Sequence, residues 1–245
     1  MSSVHPAAQA VIMAGGLGTR LRPYTYVLPK PLVPVGEHPI LEYILRQLAQ
    51  ADFRRVTLVV GYKAEILQSV IGDGSRFGLE VDYFKEDSPL GTMGALASLT
   101  NLEENFLVMN GDLCTDMDFR SFFNQHLEQG PAMTVASYHR MHRMEFGVLD
   151  IDAANARVIS FREKPEIGLW VSMGIYALRR DAVALIPTQT FFGFDTLMHT
   201  LLGRGIPVGI FPFAGRWHDI GRPDDYFLVQ DEFEKYGSAI FGLGS

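Results

Sequence analysis

The residues best suited to chemistry lie in one segment, AGGLGTRLRPYTYVLPKPLVPV, at residues 14–35. Its glycines allow a sharp backbone turn that exposes consecutive N–H groups as a nest for an anion, and they are Gly15, Gly16 and Gly18. Thr19 adds a hydroxyl donor, and the guanidinium of Arg20 can hold two phosphate oxygens. Lys30 follows between two prolines, which stiffen the backbone that presents its charge. The combination predicts a phosphate-binding site.

Simpler interpretations of this segment fit fewer of its residues. A Gly-x-Gly pair alone is compatible with an ordinary turn between strand and helix, and a lone Lys30 would usually be a solvated surface lysine. A dinucleotide fingerprint needs a third glycine where this chain has Leu21, and a Walker A loop needs Gly-Lys-Ser/Thr after the glycines. Only the loop, Arg20 and Lys30 taken together indicate a phosphate site.

Acidic residues suggest where a metal ion could bind. Asp112 follows the fourth predicted strand, at the edge where ligands of open α/β sheets gather, although it could equally cap a helix or belong to a turn. Asp219, in a WHDIG run, could likewise be a turn residue. The run Asp116–Met117–Asp118 imitates the DxD of metal-dependent glycosyltransferases, but Asp118 precedes a predicted helix, 119–129, and is typical of its N-cap.

The elements that must position these residues alternate between strand and helix in the first half of the chain. Apolar runs predict strands at 10–14, 56–60, 81–84 and 106–109, with helices beginning at 39, 63 and 92. Strands joined by helical crossovers imply a parallel, doubly wound, Rossmann-like sheet. From 133 to 177 short strands follow one another, and helices are predicted at 181–186, 194–204 and 224–236, with a strand at 208–213 between the last two. We predict one α/β domain, 1–245, with a nucleotide half (about 9–130) and a β-rich half (about 131–236).

Composition excludes several classes of protein. The formal net charge of −7 argues against a nucleic-acid-binding surface, so phosphate substrates would have to be held by local groups. No apolar run approaches the ~20 residues of a membrane span, and residues 1–9 lack the pattern of a signal peptide. Cys114 is the only cysteine, which favours a reducing compartment, and we expect a cytoplasmic protein.

The glycine-rich segment resembles the GGxGTRL…PKPLxPV signature of the sugar-phosphate nucleotidyltransferase family at every fixed position. The resemblance continues through PLGTMGAL, MNGD, FGV, FREKP, GIY and WHDIGRPDDY. Within the family, the chain looks closest to the short guanylyltransferases that act on sugar 1-phosphates. The resemblance implies a GT-A-like fold, a mostly parallel sheet whose β-rich second half binds the sugar.

The resemblance also implies the reaction and its residues. A nucleoside triphosphate (NTP) and a sugar 1-phosphate would give an NDP-sugar and pyrophosphate, with Lys30 and Arg20 as the catalytic residues. The implied nucleotide-binding residues are Ala14, Gly15, Gly16, Gly18, Thr19, Glu86, Gly91 and Thr92. The implied sugar-phosphate-binding residues are Asn110, Gly147, Glu163, Lys164 and Ser172. The chain has Met93 and Ser172–Met173 where the family usually has Ala and Asn-Ala. These differences lie on the expected sugar side of the site, so the identity of the sugar stays open.

By the same resemblance, Asp112 and Asp219 are ligands of one Mg²⁺, provided that the loop containing Asp219, late in the chain, folds back over the sheet edge. Mg²⁺ suits such a site because it takes one or two carboxylates together with phosphate oxygens and water. The expected partners are the two substrates alone, without nucleic acid or membrane, and a homo-oligomer is compatible with this interpretation.

Glu86 predicts GTP as the nucleotide. In this family a loop just before the GT(A/G)-G run reads the base, and relatives that use UTP or dTTP have Gln at this position. A carboxylate only accepts hydrogen bonds. It therefore matches the two adjacent hydrogen-bond donors of guanine but not the edge of a pyrimidine, which carries both donors and acceptors. The simpler alternative is that Glu86, in the charged run Lys85–Glu86–Asp87, is merely solvated.

Three competing functions remain open at this point. The first is a dTTP- or UTP-dependent glucose-1-phosphate nucleotidyltransferase, and the second is a metal-dependent glycosyltransferase. The second has no use for GGLGTR and Lys30, because its donor carries no triphosphate. The third is a silent nucleotide-binding regulator, which nothing favours because every expected charged group is present.

Overall fold

A computed structural model describes residues 8–243 of the chain; residues 1–7, most of the segment that lacks a signal-peptide pattern, lie outside the described range. The strands, in chain order, are β1 (Ala8–Met13), β2 (Pro34–Val35), β3 (His38–Pro39), β4 (Phe53–Val60), β5 (Glu80–Lys85), β6 (Asn105–Asn110), β7 (Leu113–Thr115), β8 (Met133–Arg143), β9 (Val148–Asp152), β10 (Arg157–Arg162), β11 (Glu166–Arg179), β12 (Val208–Phe213) and β13 (Trp217–Asp219).

The α-helices are α1 (Ile40–Gln50), α2 (Ala64–Ile71), α3 (Gly91–Gly94), α4 (Phe119–Gln129), α5 (Arg180–Val183), α6 (Phe194–Gly203) and α7 (Pro223–Tyr236). The predicted bounds of α4 and β12 are confirmed. The predicted helix at 92–99 lies within one residue of a helical run at 91–98, of which only the first turn, α3, is α-helical and the rest is the 3₁₀ helix Ala95–Ser98. None of the helices among the described residues is long and apolar enough to cross a bilayer.

The central sheet has seven strands in the order β12-β8-β11-β6-β1-β4-β5. β1 lies between β6 and β4 and is parallel to both, and β5 continues the parallel set. Among the described strands of this sheet, only β11 runs antiparallel to its neighbours, β6 and β8. The predicted mostly parallel α/β sheet is confirmed. Its consequence for function is that β1, β4, β5 and β6 all end at one edge of the sheet, where ligands of such folds gather.

The core has two layers, one on each face of the sheet. Successive residues of β1 alternate between them, so that Ile12 packs in a cluster with α1, α2 and α4, whereas Val11 packs in a cluster with α6. α1 buries one face through Leu41, Leu45 and Leu48, which follow helical spacing. Helices on both faces explain why the central parallel strands are mostly apolar in their interiors.

His126 is a fully buried polar residue in this core. Its Nε2 lies 3.2 Å from Asn105 Oδ1 and its Nδ1 lies 2.8 Å from Thr134 Oγ1. A neutral imidazole satisfies both contacts by donating to Asn105 and accepting from Thr134. Burial, helped by the charge of Arg179, lowers the pKa of His126 from 6.5 to about 4.

This depressed pKa predicts a loss of stability in mild acid. The stability due to neutral His126 is complete above the unfolded-state pKa of 6.5 and is lost as the pH falls towards about 4, by on the order of 3 kcal/mol in all. Urea unfolding across this range should show a shallower loss for His126→Gln than for the wild type. His199→Gln, at an exposed histidine of α6, should keep the wild-type slope; equal slopes for all three proteins would contradict the assignment.

Candidate functional site

The glycine loop (residues 14–20) leaves the end of β1 and crosses the edge of the sheet. The N–H of Ala14 still donates to the carbonyl of Val59 at 2.8 Å, so the loop starts in register with β4. A Cβ at Gly15 would lie 2.9 Å from Glu86 Oε2 and 3.3 Å from the backbone nitrogen of Gly61, so a side chain there would displace the Glu86 carboxylate. Gly18 has a left-handed φ of 59°, which favours glycine. Of the three glycines only Gly18 has a positive φ, so the predicted sharp turn is confirmed at that residue.

Lys30 lies at the start of the short 3₁₀ helix Lys30–Leu32 and reaches two carboxylates. Its Nζ donates to Asp112 Oδ2 in a short ion pair and lies 3.9 Å from Asp219 Oδ1. Lys30 is therefore not a solvated surface lysine, since both it and Asp112 are largely buried. The structure brings the three residues together from distant parts of the chain.

A small antiparallel pair of strands brings Asp219 to this place. β13 pairs with β7, with Asp219 opposite Leu113, and the N–H of Ile220 donates to the carbonyl of Asp112 at 3.2 Å. The segment is thus a strand rather than the loop expected from the sequence, although it does fold back over the sheet edge. Three residues are too few for a periodic pattern, which is why the sequence did not indicate this strand.

The chemistry of the two aspartates suits a cation. Asp112 Oδ1 is buried without a hydrogen-bond partner among the described residues, which is costly unless something else contacts it. Partial burial, followed by repulsion from Asp112, raises the pKa of Asp219 above its ordinary value, while Lys30 and Arg20 act in the opposite direction. Within residues 8–243 no group of three or more acidic, His or Cys side chains is arranged to hold a metal by itself. An ion here would need further ligands from substrate phosphates and water.

Glu86 lies at the end of β5 and differs from its exposed neighbours Lys85 and Asp87 by being half-buried. Its Oε1 accepts from the N–H of Leu90 at 3.1 Å, and its backbone N–H donates to the carbonyl of Val60 at 2.9 Å. Burial raises the pKa of Glu86, which the hydrogen bond from Leu90 partly offsets. The merely solvated alternative therefore does not hold, and the carboxylate has a fixed place beside Gly15.

A cleft of about 530 Å³ joins these groups. All ten residues predicted for the nucleotide and the catalytic step line it, namely Ala14, Gly15, Gly16, Gly18, Thr19, Arg20, Lys30, Glu86, Gly91 and Thr92. Asn110, predicted for the sugar phosphate, and Asp112, predicted for the metal, line it too. Asp219 adjoins it through its contact with Lys30, and Gly221 lines it near the Arg20 guanidinium. The arrangement offers backbone donors, two cations and two carboxylates around one space.

Four of the residues predicted for the sugar phosphate lie outside this cleft. Gly147 and Glu163 are neighbours on the exposed β9–β10 arm, where a Cβ at Gly147 would lie 3.2 Å from Glu163 Oε2. Lys164 follows with a left-handed φ of 42°. Ser172, on β11, donates through its hydroxyl to the Tyr176 hydroxyl at 3.0 Å. The roles of all four stay predictions.

The DxD-like pair has structural partners instead. Asp116 Oδ1 accepts from the N–H of Arg216 at 2.7 Å, and Asp116 also forms an ion pair with the Arg216 side chain. Asp118 caps α4 by accepting from the N–H groups of Arg120 and Ser121, which confirms its prediction as an N-cap. Both carboxylates are engaged, which argues against a glycosyltransferase-type metal site here.

Sequence reasoning missed the segment that supports Gly91. The N–H of Phe192 donates to Leu90, and its carbonyl accepts from the N–H groups of Met93 and Gly94, all within 3.0 Å. These bonds satisfy two N–H groups of α3, those of Met93 and Gly94. Met93 and Met173, two of the residues that depart from the family pattern, are fully buried in the core.

Comparisons with known proteins show what the chain is similar to. A family model described as Nucleotidyl transferase matches residues 9–236. The chain is 29% identical to a UTP–glucose-1-phosphate uridylyltransferase of Synechocystis, over 89% of this chain and 61% of that protein. It is 32% identical to a D-glycero-alpha-D-manno-heptose 1-phosphate guanylyltransferase of Aneurinibacillus thermoaerophilus, over 93% of this chain and 99% of that one. The chain thus spans about three fifths of one relative and nearly all of the other.

A solved structure shares the fold. HddC from Yersinia pseudotuberculosis superposes with a TM-score of 0.72 at 27% identity, covering 92% of this chain and 99% of that one. The same protein has also been solved in complex with GMP-PN.

Proposed function

Because the chain belongs to the nucleotidyl transferase family, we propose that it joins a nucleoside triphosphate to a hexose or hexosamine 1-phosphate and releases pyrophosphate. The observation that carries this proposal is the meeting of Lys30 with Asp112 and Asp219 at the edge of a cleft lined by the glycine loop. That arrangement suits a triphosphate, since it combines donors for phosphate oxygens with carboxylates that suit a cation.

The reaction needs positioning rather than proton transfer. An oxygen of the sugar phosphate attacks the α-phosphorus, a new P–O bond forms, and the bond between the α-phosphorus and its bridging oxygen breaks to release pyrophosphate. A phosphate monoester with a second pKa near ~6 is already mostly a dianion at neutral pH, so no general base is required. Lys30 would neutralise the charge that develops at the α-phosphate, and Arg20 with the glycine loop would hold the departing pyrophosphate.

Asp112 and Asp219 would hold one Mg²⁺, which when bound supplies positive charge to the phosphate oxygens. The unpartnered Oδ1 of Asp112 supports this assignment. Lys30 pairs with the other oxygen of Asp112, so the same carboxylate can orient the lysine and contact the ion. We propose Asn110, Gly147, Glu163, Lys164 and Ser172 as the sugar-phosphate side of the site. Asn110 supports this division, because it lines the cleft and also lies against Gly174 of β11, where a Cβ would be 2.6 Å from Asn110 Nδ2.

The decisive test is an assay of pyrophosphate release. The chain is incubated with Mg²⁺, each NTP in turn and a panel of hexose and hexosamine 1-phosphates. Release that depends on both substrates is the expected result. Absence of release with every pair would overturn the proposal, and transfer of sugar from an NDP-sugar without pyrophosphate would point to a glycosyltransferase.

The proposed nucleotide is GTP, and the fixed, half-buried carboxylate of Glu86 supports it. Guanine offers two adjacent donors that one carboxylate can accept as charge-assisted bonds. A pyrimidine would instead place carbonyl oxygens against that carboxylate. The name of the heptose relative agrees with guanine, whereas the Synechocystis relative is named for UTP, so a UTP- or dTTP-dependent enzyme is the second candidate.

Glu86→Gln should remove much of a preference for GTP over UTP and dTTP. The Gln oxygen can still accept from the N–H of Leu90, so the loop should keep its shape. The Gln amide also carries donors, however, and so lacks the acceptor-only character that favours guanine. The measurement is kcat/KM for the three nucleotides, and Asp87→Asn, at an exposed neighbour, is the control that should leave the preference unchanged. A wild type that prefers UTP or dTTP would reject the base assignment and keep the reaction.

A further inference from the structure

Thr25 is a buried residue to which the site described above gives no role. It lies in the 3₁₀ helix Tyr24–Tyr26, between Arg20 and Lys30, and is only 2% exposed. Its hydroxyl donates to the carbonyl of Gly18 at 2.8 Å. The same carbonyl accepts from the N–H of Leu21 at 2.9 Å. The bond therefore joins a buried side chain to the glycine loop itself.

Together with the bond from the Leu21 N–H, this hydrogen bond fixes the plane of one peptide in the loop. In a trans peptide the C=O of one residue and the N–H of the next point in opposite directions. With the Gly18 carbonyl turned towards Thr25, the N–H of Thr19 must point away from Thr25. Gly18 and Thr19 both line the cleft. Glycine adopts positive and negative φ with similar ease, so Gly18 by itself would not hold this peptide in one orientation.

The segment that carries Thr25 is anchored on its far side. Lys63 Nζ donates to the carbonyls of Tyr26 at 2.8 Å and Val27 at 3.0 Å. The ring of Tyr24 packs against that of Tyr226 on α7, with centroids 5.2 Å apart. The Thr25 methyl also packs on Gly18, where a Cβ would lie 2.8 Å from it. The hydroxyl therefore acts on the loop from a fixed position.

We propose that Thr25 is a positioning residue that holds the Thr19 N–H towards the phosphates beyond the α-phosphate. This inference rests on the proposed function, because it assumes that the cleft binds a triphosphate. It assigns Thr25 no contact with substrate. Its effect should fall on the β- and γ-phosphates, which the glycine loop would hold, and not on the base or the α-phosphate.

The test compares calorimetric binding of GTP and GMP to the whole chain carrying Thr25→Val or Thr25→Ser. Val keeps the volume and removes the hydroxyl, whereas Ser keeps the hydroxyl and removes the methyl. Thr25→Val should weaken GTP binding about tenfold, the effect of losing one oriented donor to a charged oxygen, and should leave GMP binding unchanged. Thr25→Ser should bind GTP like the wild type. Thr25→Cys, with a weak S–H donor, replaces the valine variant if that protein does not fold.

The matched control is Thr134→Val, at a fully buried threonine whose hydroxyl contacts His126 away from the cleft. It should lower the Tm without changing the ratio of GTP to GMP affinity. Wild-type GTP affinity in the Thr25→Val protein would overturn the inference about Thr25 and leave the proposed function standing. Equal losses of GTP and GMP affinity would do the same, because they indicate general damage to the site. A wild type that binds no NTP would overturn the proposed function and this inference together.

Discussion

Lys30→Ala should lower kcat by a factor of about 10²–10³, the range found when one preorganised electrostatic stabiliser is removed from an active site. Lys30 is the cation that both candidate metal ligands contact, so its loss removes positive charge from the point where the α-phosphate would react. The measurement is pyrophosphate release under saturating substrates. Lys235→Ala, at an exposed lysine of α7, is the matched control and should keep wild-type turnover.

The structure changes the stability expected of the Lys30→Ala protein. From the sequence alone, the Lys30→Ala protein should fold as the wild type does, because nothing suggests that Lys30 is buried. Its side chain is in fact only 13% exposed and pairs with Asp112, so the substitution leaves a buried carboxylate without its partner. We therefore expect a lower Tm, and kcat must be measured well below it. Lys30→Met, which keeps the apolar stem, should lose as much turnover; wild-type turnover in either variant would remove Lys30 from the mechanism.

Asp112→Asn and Asp219→Asn should each raise the Mg²⁺ concentration needed for half-maximal turnover by about 10- to 100-fold, the scale found when groups that only support a metal ligand are removed. Each change removes one of the two carboxylates beside Lys30 and leaves a neutral oxygen, which binds a hard cation less strongly. A second readout is independent of catalysis. Electron paramagnetic resonance of free Mn²⁺, added in place of Mg²⁺ with nucleotide, should show weaker binding in both variants.

Asp116→Asn is the control for both aspartates. Its carboxylate accepts from the Arg216 backbone and pairs with the Arg216 side chain, so its loss should affect stability and not the metal requirement. A larger effect on Mn²⁺ binding at Asp116 than at Asp112 would reject the assignment and favour the glycosyltransferase-type site.

The alternation of strand and helix could be predicted from the sequence because it depends on side-chain patterns that repeat within a few residues. α4 is an example, since Asp118 caps it and Gly130 follows it with a left-handed φ of 64°. The pattern is less informative at 92–99, where a distant segment contributes. The helical run at 91–98 changes from α to 3₁₀ after Gly94, and the N–H groups of Met93 and Gly94 bond to the carbonyl of Phe192, far along the chain.

Residue types and local spacing were enough to predict the chemical groups of this protein: a glycine turn that can expose backbone donors, Arg20 and Lys30 to meet phosphate, and aspartates suited to a cation. These follow from residue type and local sterics, which act within a few bonds. The pairing of β13 with β7, which carries Asp219 to Lys30, appears only in the folded chain. Folding also places Glu86 against Gly15 and turns the Thr25 hydroxyl to Gly18. Such contacts join segments with no shared local pattern, so their geometry comes from how the whole chain packs around one sheet.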